Sequence, residues 1–354
     1  YLDQQARNNG NVTLNEFTSQ GLPDPLYSFT EGESFYTDWQ AETFNQDLGY
    51  DHNIAASFAT GDIQYRISLG HLDQSGFLQP RNYERTILGT TVNYLGERFS
   101  LTYRVNSSWE DRQDFSLDML AAARFVPSVS PFDEDDNLSR HPYFDWWENP
   151  LFPLDTRTDE SLINNLRMNL DLGFQINEKS KLNLKMALDQ NNRERFFQST
   201  EDWRDGAAIY SASLNELENH NYLGEGYYDI DITNIGKHYL NAVSGISFQS
   251  FRFSQENRFG EGFFAPTQVR DNFNGSASNV LTNGRSETRQ IASAFSRWHY
   301  KYSDWLNIDL SYRLDGASQF LSANRWGHFP SVGASVLVFE NEASLFHRLN
   351  LGLN

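Results

Sequence analysis

The 354-residue sequence has no cysteine, which removes disulfides and thiolate metal sites from consideration. It is poor in cations, with 28 Lys and Arg against 47 Asp and Glu and a formal net charge of -19. A chain so acidic lacks the basic face that a phosphate backbone requires, so nucleic acid is excluded as a partner. No apolar run approaches the roughly 18 residues of a transmembrane helix. That excludes a helical membrane protein but leaves a membrane barrel open, because barrel strands alternate instead of running apolar. There is no P-loop, no G-x-S-x-G and no H-E-x-x-H. The "GEG" triplets at 224–226 and 260–262 lack the third glycine of a dinucleotide fingerprint and read as turn glycines. The eight histidines are scattered singly, without metal-ligand spacing, and His299 and His328 are expected to face water or a lumen. No enzyme and no cofactor are expected.

What the chain does have is aromatic residues, 15% of the total, and period-2 alternation. In "RFSLTYRVNSSW", Phe99, Leu101, Tyr103 and Val105 lie on one face, with Arg98, Ser100, Thr102 and Arg104 on the other. "NLRMNLDLGFQI" sets Leu166, Met168, Leu170, Leu172 and Phe174 against Arg167, Asn169, Asp171 and Gln175. "KLNLKMALD" and "WLNIDLSYRLDG" repeat the pattern, and further such segments stand near 50–60, 63–72, 85–95, 227–234, 238–250, 287–302, 329–339 and the final residues. About a dozen strands result, many near the ten residues that cross a hydrocarbon layer at a tilt. Short turns at 61–62, 96–97, 177–180, 234–237 and 302–305 alternate with long connections at 73–84, 110–160, 194–226, 251–286 and 316–328.

Two architectures fit a sheet with one polar and one apolar face. A soluble sandwich buries the apolar face against a second sheet, and a transmembrane antiparallel barrel turns it to lipid. The short-long asymmetry is that of outer-membrane barrels, with short periplasmic turns and long extracellular loops. Tyr94, Tyr300, Tyr302 and Trp305 near the turns favour the barrel, since Tyr and Trp collect at membrane interfaces. An all-β transmembrane barrel with a polar interior makes transport the default function.

The loops hold the candidate binding residues. In "HPYFDWWENPLFPLD" (141–155), Tyr143, Phe144, Trp146 and Trp147 are costly to leave in water. They pack the loop on itself, bury against a partner protein, or stack on a sugar or peptide cargo. The segment 199–229 adds Trp203, Tyr210, Tyr222, Tyr227 and Tyr228. Tyr143, Trp146, Trp147, Trp203 and Tyr210 are therefore the expected cargo or lid contacts. In "DEDDN" (133–137), Asp133 and Asp135 alternate like opening calcium ligands, but the glycine and the distant glutamate of such a loop are missing. The alternative is a solvated acidic loop.

Several of these segments resemble SusC-like, RagA-like TonB-dependent outer-membrane transporters. The carriers are Thr37, Asp38, Trp39 and Gln40 ("TDWQ"), His52 and Asn53, Tyr65, Ser68 to Leu72, Gly76, and Tyr83 to Arg85. "ENPLF" (148–152) is similar to a loop segment of the family. The strongest motif is "RLDGASQFLSANRWGHFPS", which keeps Arg313, Asp315, Gly316, Ser318, Phe320, Asn324, Arg325, Trp326, Gly327, Phe329, Pro330 and Ser331. It departs at Ala317, Gln319 and Leu321, where the family has Ser, Arg and Gly. The resemblance implies a barrel of about 22 strands, of which residues 1–354 supply the middle part, as one domain. An N-terminal plug with a TonB box and the last strands are then expected to lie outside this sequence. It also implies an outer-membrane location and TonB-driven import of an oligosaccharide or oligopeptide beneath a SusD-like lid lipoprotein. A docking scaffold for surface proteins and a passive porin are the alternatives.

Overall fold

The computed structural model describes residues 37–125, 127, 129–140, 148–202, 209–263, 279–340 and 348–353. Among them twelve strands form a single antiparallel sheet in strict sequence order. The strands are β1 (Tyr50–Thr60), β2 (Ile63–Ser75), β3 (Asn82–Leu95), β4 (Phe99–Gln113), β5 (Arg157–Asn177) and β6 (Ser180–Asp202). They continue as β7 (Ile209–Ile235), β8 (His238–Phe263), β9 (Asn279–Tyr302), β10 (Leu306–Ala317), β11 (Trp326–Glu340) and β12 (Arg348–Leu353). Every pairing is between sequence neighbours, the meander that an up-and-down barrel wall requires.

The register sorts the side chains, because directly paired residues share a face. Phe58, Tyr65, Val92, Tyr103, Leu170 and Met186 form one unbroken cross-strand row from β1 to β6. Towards the other edge of the sheet, on the same face, Ala294, Leu314 and His328 form another row, and Trp298, Leu310 and Val332 a third. These side chains are not covered: Ile54 is 71% exposed, Phe58 65%, Ile246 68% and Val332 62%. A continuous apolar face open to this degree is stable only against hydrocarbon, so the barrel reading holds and the sandwich does not. Rings cluster at its lower margin, where Tyr302 meets Trp305 edge-on at 5.8 Å and Tyr94 lies 6.0 Å from Phe99. The opposite face carries the polar set and is read as the inward face.

The short turns stand where the sequence places them, and so does the long connection near 110–160, between Gln113 and Arg157; the other long connections are shortened by strand. Strands β6 to β9 run 23, 27, 26 and 24 residues, so most of 194–226 and 251–286 is strand and not loop. About 9–11 residues suffice to cross the hydrocarbon, and the remainder stands beyond it. There both faces meet water, so the apolar alternation that marks a strand in the sequence fades while the hydrogen-bonded ladder continues.

The motif at 313–331 is corrected in the same sense. Strand pairing extends to Gly316 opposite Trp326, which leaves a connection of eight residues, 318–325, with a 3-10 turn at Ser322–Asn324. The Arg325 carbonyl accepts from the Ala317 amide at 3.1 Å, and the Asn324 amide donates to the Leu321 carbonyl. A β-carbon on Gly316 would lie 2.7 Å from the Trp326 ring, and one on Gly327 would lie 2.9 Å from the Phe329 ring. The glycines are there because large rings fold over them. Arg313 donates to Asp315 at 2.7 Å and to Ser293 at 2.9 Å on the inward face. Pro330 pairs with Tyr312 across the outer face. His328 is also on that outer face, exposed and hydrogen-bonded to the Tyr312 hydroxyl at 2.6 Å, so it does not face the lumen. Gly316→Ala is expected to lower stability by about 1–3 kcal/mol through displacement of the Trp326 ring. A urea midpoint for the vesicle-folded protein measures it, and an unchanged midpoint would mean the ring is not held there.

Above the sheet, three short helices, α1 (Trp39–Thr43), α2 (Met119–Arg124) and α3 (Phe152–Thr156), organise the described part of the connection between β4 and β5. Trp39 is 3% exposed and meets Phe125 edge-on at 4.9 Å, within a cluster that includes Leu117, Ala122, Val129 and Leu151. Thr37 donates its hydroxyl to the Val129 carbonyl, and Asp38 caps α1 by accepting from the Ala41 amide. The "TDWQ" motif is thus a cap and an anchor for this small core. Asn149, of "ENPLF", ties the same connection with its amide, which donates to the Pro131 and Ser139 carbonyls.

Candidate functional site: the inward wall above the membrane belt

The inward face of the long strands forms a grid that can be read from the register. Arg195, Asn215, Asn257 and Asn283 make one row across β6 to β9, and Arg193, Leu217, Gln255 and Arg285 make the row below it. Phe197, Ser213, Phe259 and Leu281 stand above, and Asn191, Asn219, Phe253 and Glu287 beneath. The amides bond along the row: Asn215 donates to Asn257, and Asn257 donates to Asn283 at 3.0 Å. A hollow of about 400 Å³ lies against Arg193, Arg195, Phe197, Ser213, Asn215 and Asn257.

Neighbouring strands hold the guanidinium groups in place. Arg195 grips Asp159 with two bonds of 2.8 and 2.7 Å, the fork-to-fork geometry that fixes both groups. Arg193 donates to Ser161 at 3.2 Å, and Ser161 donates in turn to Asp114. A second network joins Tyr83, which donates to Glu110 at 3.1 Å, to Asn165 and Asn191. Tyr83 lies above the belt, where burial first and the bond to Glu110 next raise its proton loss above the ordinary phenol value. It therefore remains a donor throughout the physiological range. On β9, also above the belt, Glu287 accepts from Arg289 and from Arg285, and these two bonds hold its carboxyl below the ordinary range. The wall can thus offer amide donors and acceptors, oriented guanidinium groups and phenyl faces over a broad surface.

This grid was not among the residues singled out from the sequence. Most of its amides and arginines fall within 194–226 and 251–286, which read as loops, and only the register aligns them. Of the five expected contacts, Tyr143, Trp146, Trp147 and Trp203 lie outside the described residues. Tyr210 packs against the cluster of Phe196, Ala212, Leu214 and Phe263, so its ring contributes to the fold of the wall. Asp133 accepts from the backbone amides of Asp135 and Asn137 at 3.0 and 2.8 Å, closing its own turn. Among the described residues no three metal-ligating side chains converge.

No family model matches the chain. A TonB-dependent receptor of Formosa agariphila is 25% identical over 311 residues, which are 82% of this chain and 30% of the receptor. TonB-dependent receptor SusC of Bacteroides thetaiotaomicron is 22% identical over 330 residues, 84% of this chain and 32% of SusC. The chain therefore spans about a third of the length of these relatives. Among solved structures, the RagAB peptide importer in its open-open state superposes with a TM-score of 0.68 at 19% identity, over 93% of this chain and 39% of that one. Its closed-closed state gives 0.65 over 86% and 35%. At these identities the structural likeness speaks for the fold: the wall of an outer-membrane barrel.

Proposed function

We propose that the protein to which this barrel segment belongs, a TonB-dependent receptor resembling SusC, imports an oligomeric nutrient across the outer membrane. The observation that carries this reading is the inward wall. Four strands rise far beyond the belt and line their inner side with amides, guanidinium groups and phenyl rings. Such a surface fits many weak contacts along an extended oligosaccharide or oligopeptide, not the narrow ring of ligands that selects a small ion. The outer side of the same strands bears Glu194, Glu216 and Glu256 in a single row, with no comparable amide ladder among the described residues. The loop aromatics Tyr143, Trp146, Trp147 and Trp203 are assigned to the cargo or to a SusD-like lid lipoprotein. Energy would come from the TonB complex, acting on a plug that the whole protein supplies.

Import predicts that cells lacking the gene stop taking up the oligomer while their other surface proteins assemble normally. It further predicts that removing the TonB box of the full-length protein abolishes uptake as completely as deletion does. Uptake of a labelled oligomer by the two strains measures both. Uptake without the TonB box would point to an open porin, and normal uptake in the deletion strain to a docking scaffold.

A further inference from the structure

On β6 to β9 the charges above the belt are sorted by face. Glu194, Glu216, Glu218 and Glu256 point outward, where Arg258 bonds Glu216 and Glu256, and Arg252 is the other outward cation. Among the described side chains at these heights Arg193, Arg195, Arg285 and Arg289 point inward, accompanied on these strands by Asp189, Glu261 and Glu287, and Asp189 is held by Arg167 of β5. In a chain of net charge -19 this places guanidinium groups on the one surface a cargo would meet. Arg193 and Arg195 are engaged by Asp114 and Asp159. The strip on β9 is different: a single carboxylate, Glu287, lies between two guanidinium groups.

The two arginines are also the more open partners. The Arg285 side chain is 71% exposed and that of Arg289 47%, against 30% for Glu287. A guanidinium has five N–H donors, and the bond to Glu287 orients each fork while leaving donors directed at the lumen. Beside Arg285 in the register stands Gln255, and one row higher Asn257 and Asn283 carry the amide ladder. Guanidinium forks recognise planar carboxylates with two parallel bonds. Side-chain amides donate and accept at once, which matches the hydroxyl groups of a sugar.

We propose that Arg285 and Arg289, with Gln255, Asn257 and Asn283, form a subsite for the carboxylate of an acidic, uronate-bearing oligosaccharide. This rests on the import reading, whose cargo it specifies. The test uses the full-length protein purified in detergent, with binding followed by calorimetry. Its probes are an oligogalacturonate, the same oligomer as its neutral methyl ester, and an oligoglutamate of equal length. The acid is expected to bind at least about tenfold more tightly than the ester, as one or two charge-assisted bonds would give. Its affinity should fall as salt is raised. The double variant R285Q/R289Q should bring the ratio of acid to ester affinity down to about one, and R285K/R289K should restore part of that ratio. Both positions are exposed, so a folding defect would appear as lost ester binding and is thereby separated.

Equal binding of acid and ester, or wild-type affinity in the glutamine pair, would overturn the subsite while leaving import of a neutral cargo standing. Binding of oligoglutamate alone would overturn the sugar assignment in favour of an acidic peptide. If none of the three binds, the subsite falls. The uptake experiment then decides separately whether import falls with it.

Discussion

Leu310→Arg is expected to cost about 2–4 kcal/mol of folding stability, the penalty for a cation at the midplane of a barrel's lipid face. Leu310 is 46% exposed and pairs directly with Trp298 on β9 and Val332 on β11, so its neighbours on both sides are apolar. It sits midway along the outward row of β10 that runs from Leu306 to Gly316. An arginine there has no inward partner to reach, because the carboxylates of the region, Asp309 and Asp315, lie on the opposite face. Ser311→Gln provides the comparison. Its side chain faces inward between Arg297 and Ser331, and the change is expected to stay within about 0.5 kcal/mol. Urea titration of the full-length protein folded into vesicles reads both. Equal costs would mean that both faces meet water, and the membrane assignment of the apolar face would fail.

Arg195→Met is expected to cost about 2–3 kcal/mol, because it strands a carboxylate that has little access to water. The Asp159 side chain is 8% exposed and receives both of its bonds from Arg195, while Arg195 itself is 45% exposed. The penalty therefore belongs to the acid left behind more than to the cation removed. Asp159→Asn in the Arg195→Met background should recover most of it, since a neutral amide tolerates that site better than an unpaired charge. The double-mutant cycle is measured on the same vesicle-folded protein. A cycle that sums without coupling would show that the pair does not hold β5 and β6 together at this height.

How much of this was legible beforehand depends on where a strand lies relative to the membrane. Inside the belt, one face must be apolar and the other polar, and Leu166 to Gln175 shows that alternation openly. All the short turns are legible too, because a two-stranded reversal needs particular residues. Gly61 and Gly236 show why, with φ of 54° and 62°, values at which a side chain is strained. Above the belt water wets both faces, and "NNRERFFQST" or "SQENRFGEG" has no period to read although both are strand. The motif residues were visible as a pattern but not as contacts. Trp39 meets Phe125, 86 positions along the chain, and only folding brings them together.

The sequence by itself determined the strands within the belt, their short turns and their two faces, because each follows from local period and turn chemistry, while the resemblance in its motifs pointed to the outer membrane. Tertiary structure decided the height of the wall and the grid upon it. Arg195, Asn215, Asn257 and Asn283 are scattered over 89 residues of sequence and share a row only through the registers of three successive strand pairs. Register is a property of neighbours, fixed by hydrogen-bonded partners on adjacent strands. No single strand carries that information, which is why the polar wall emerges from the fold and the apolar belt from the sequence.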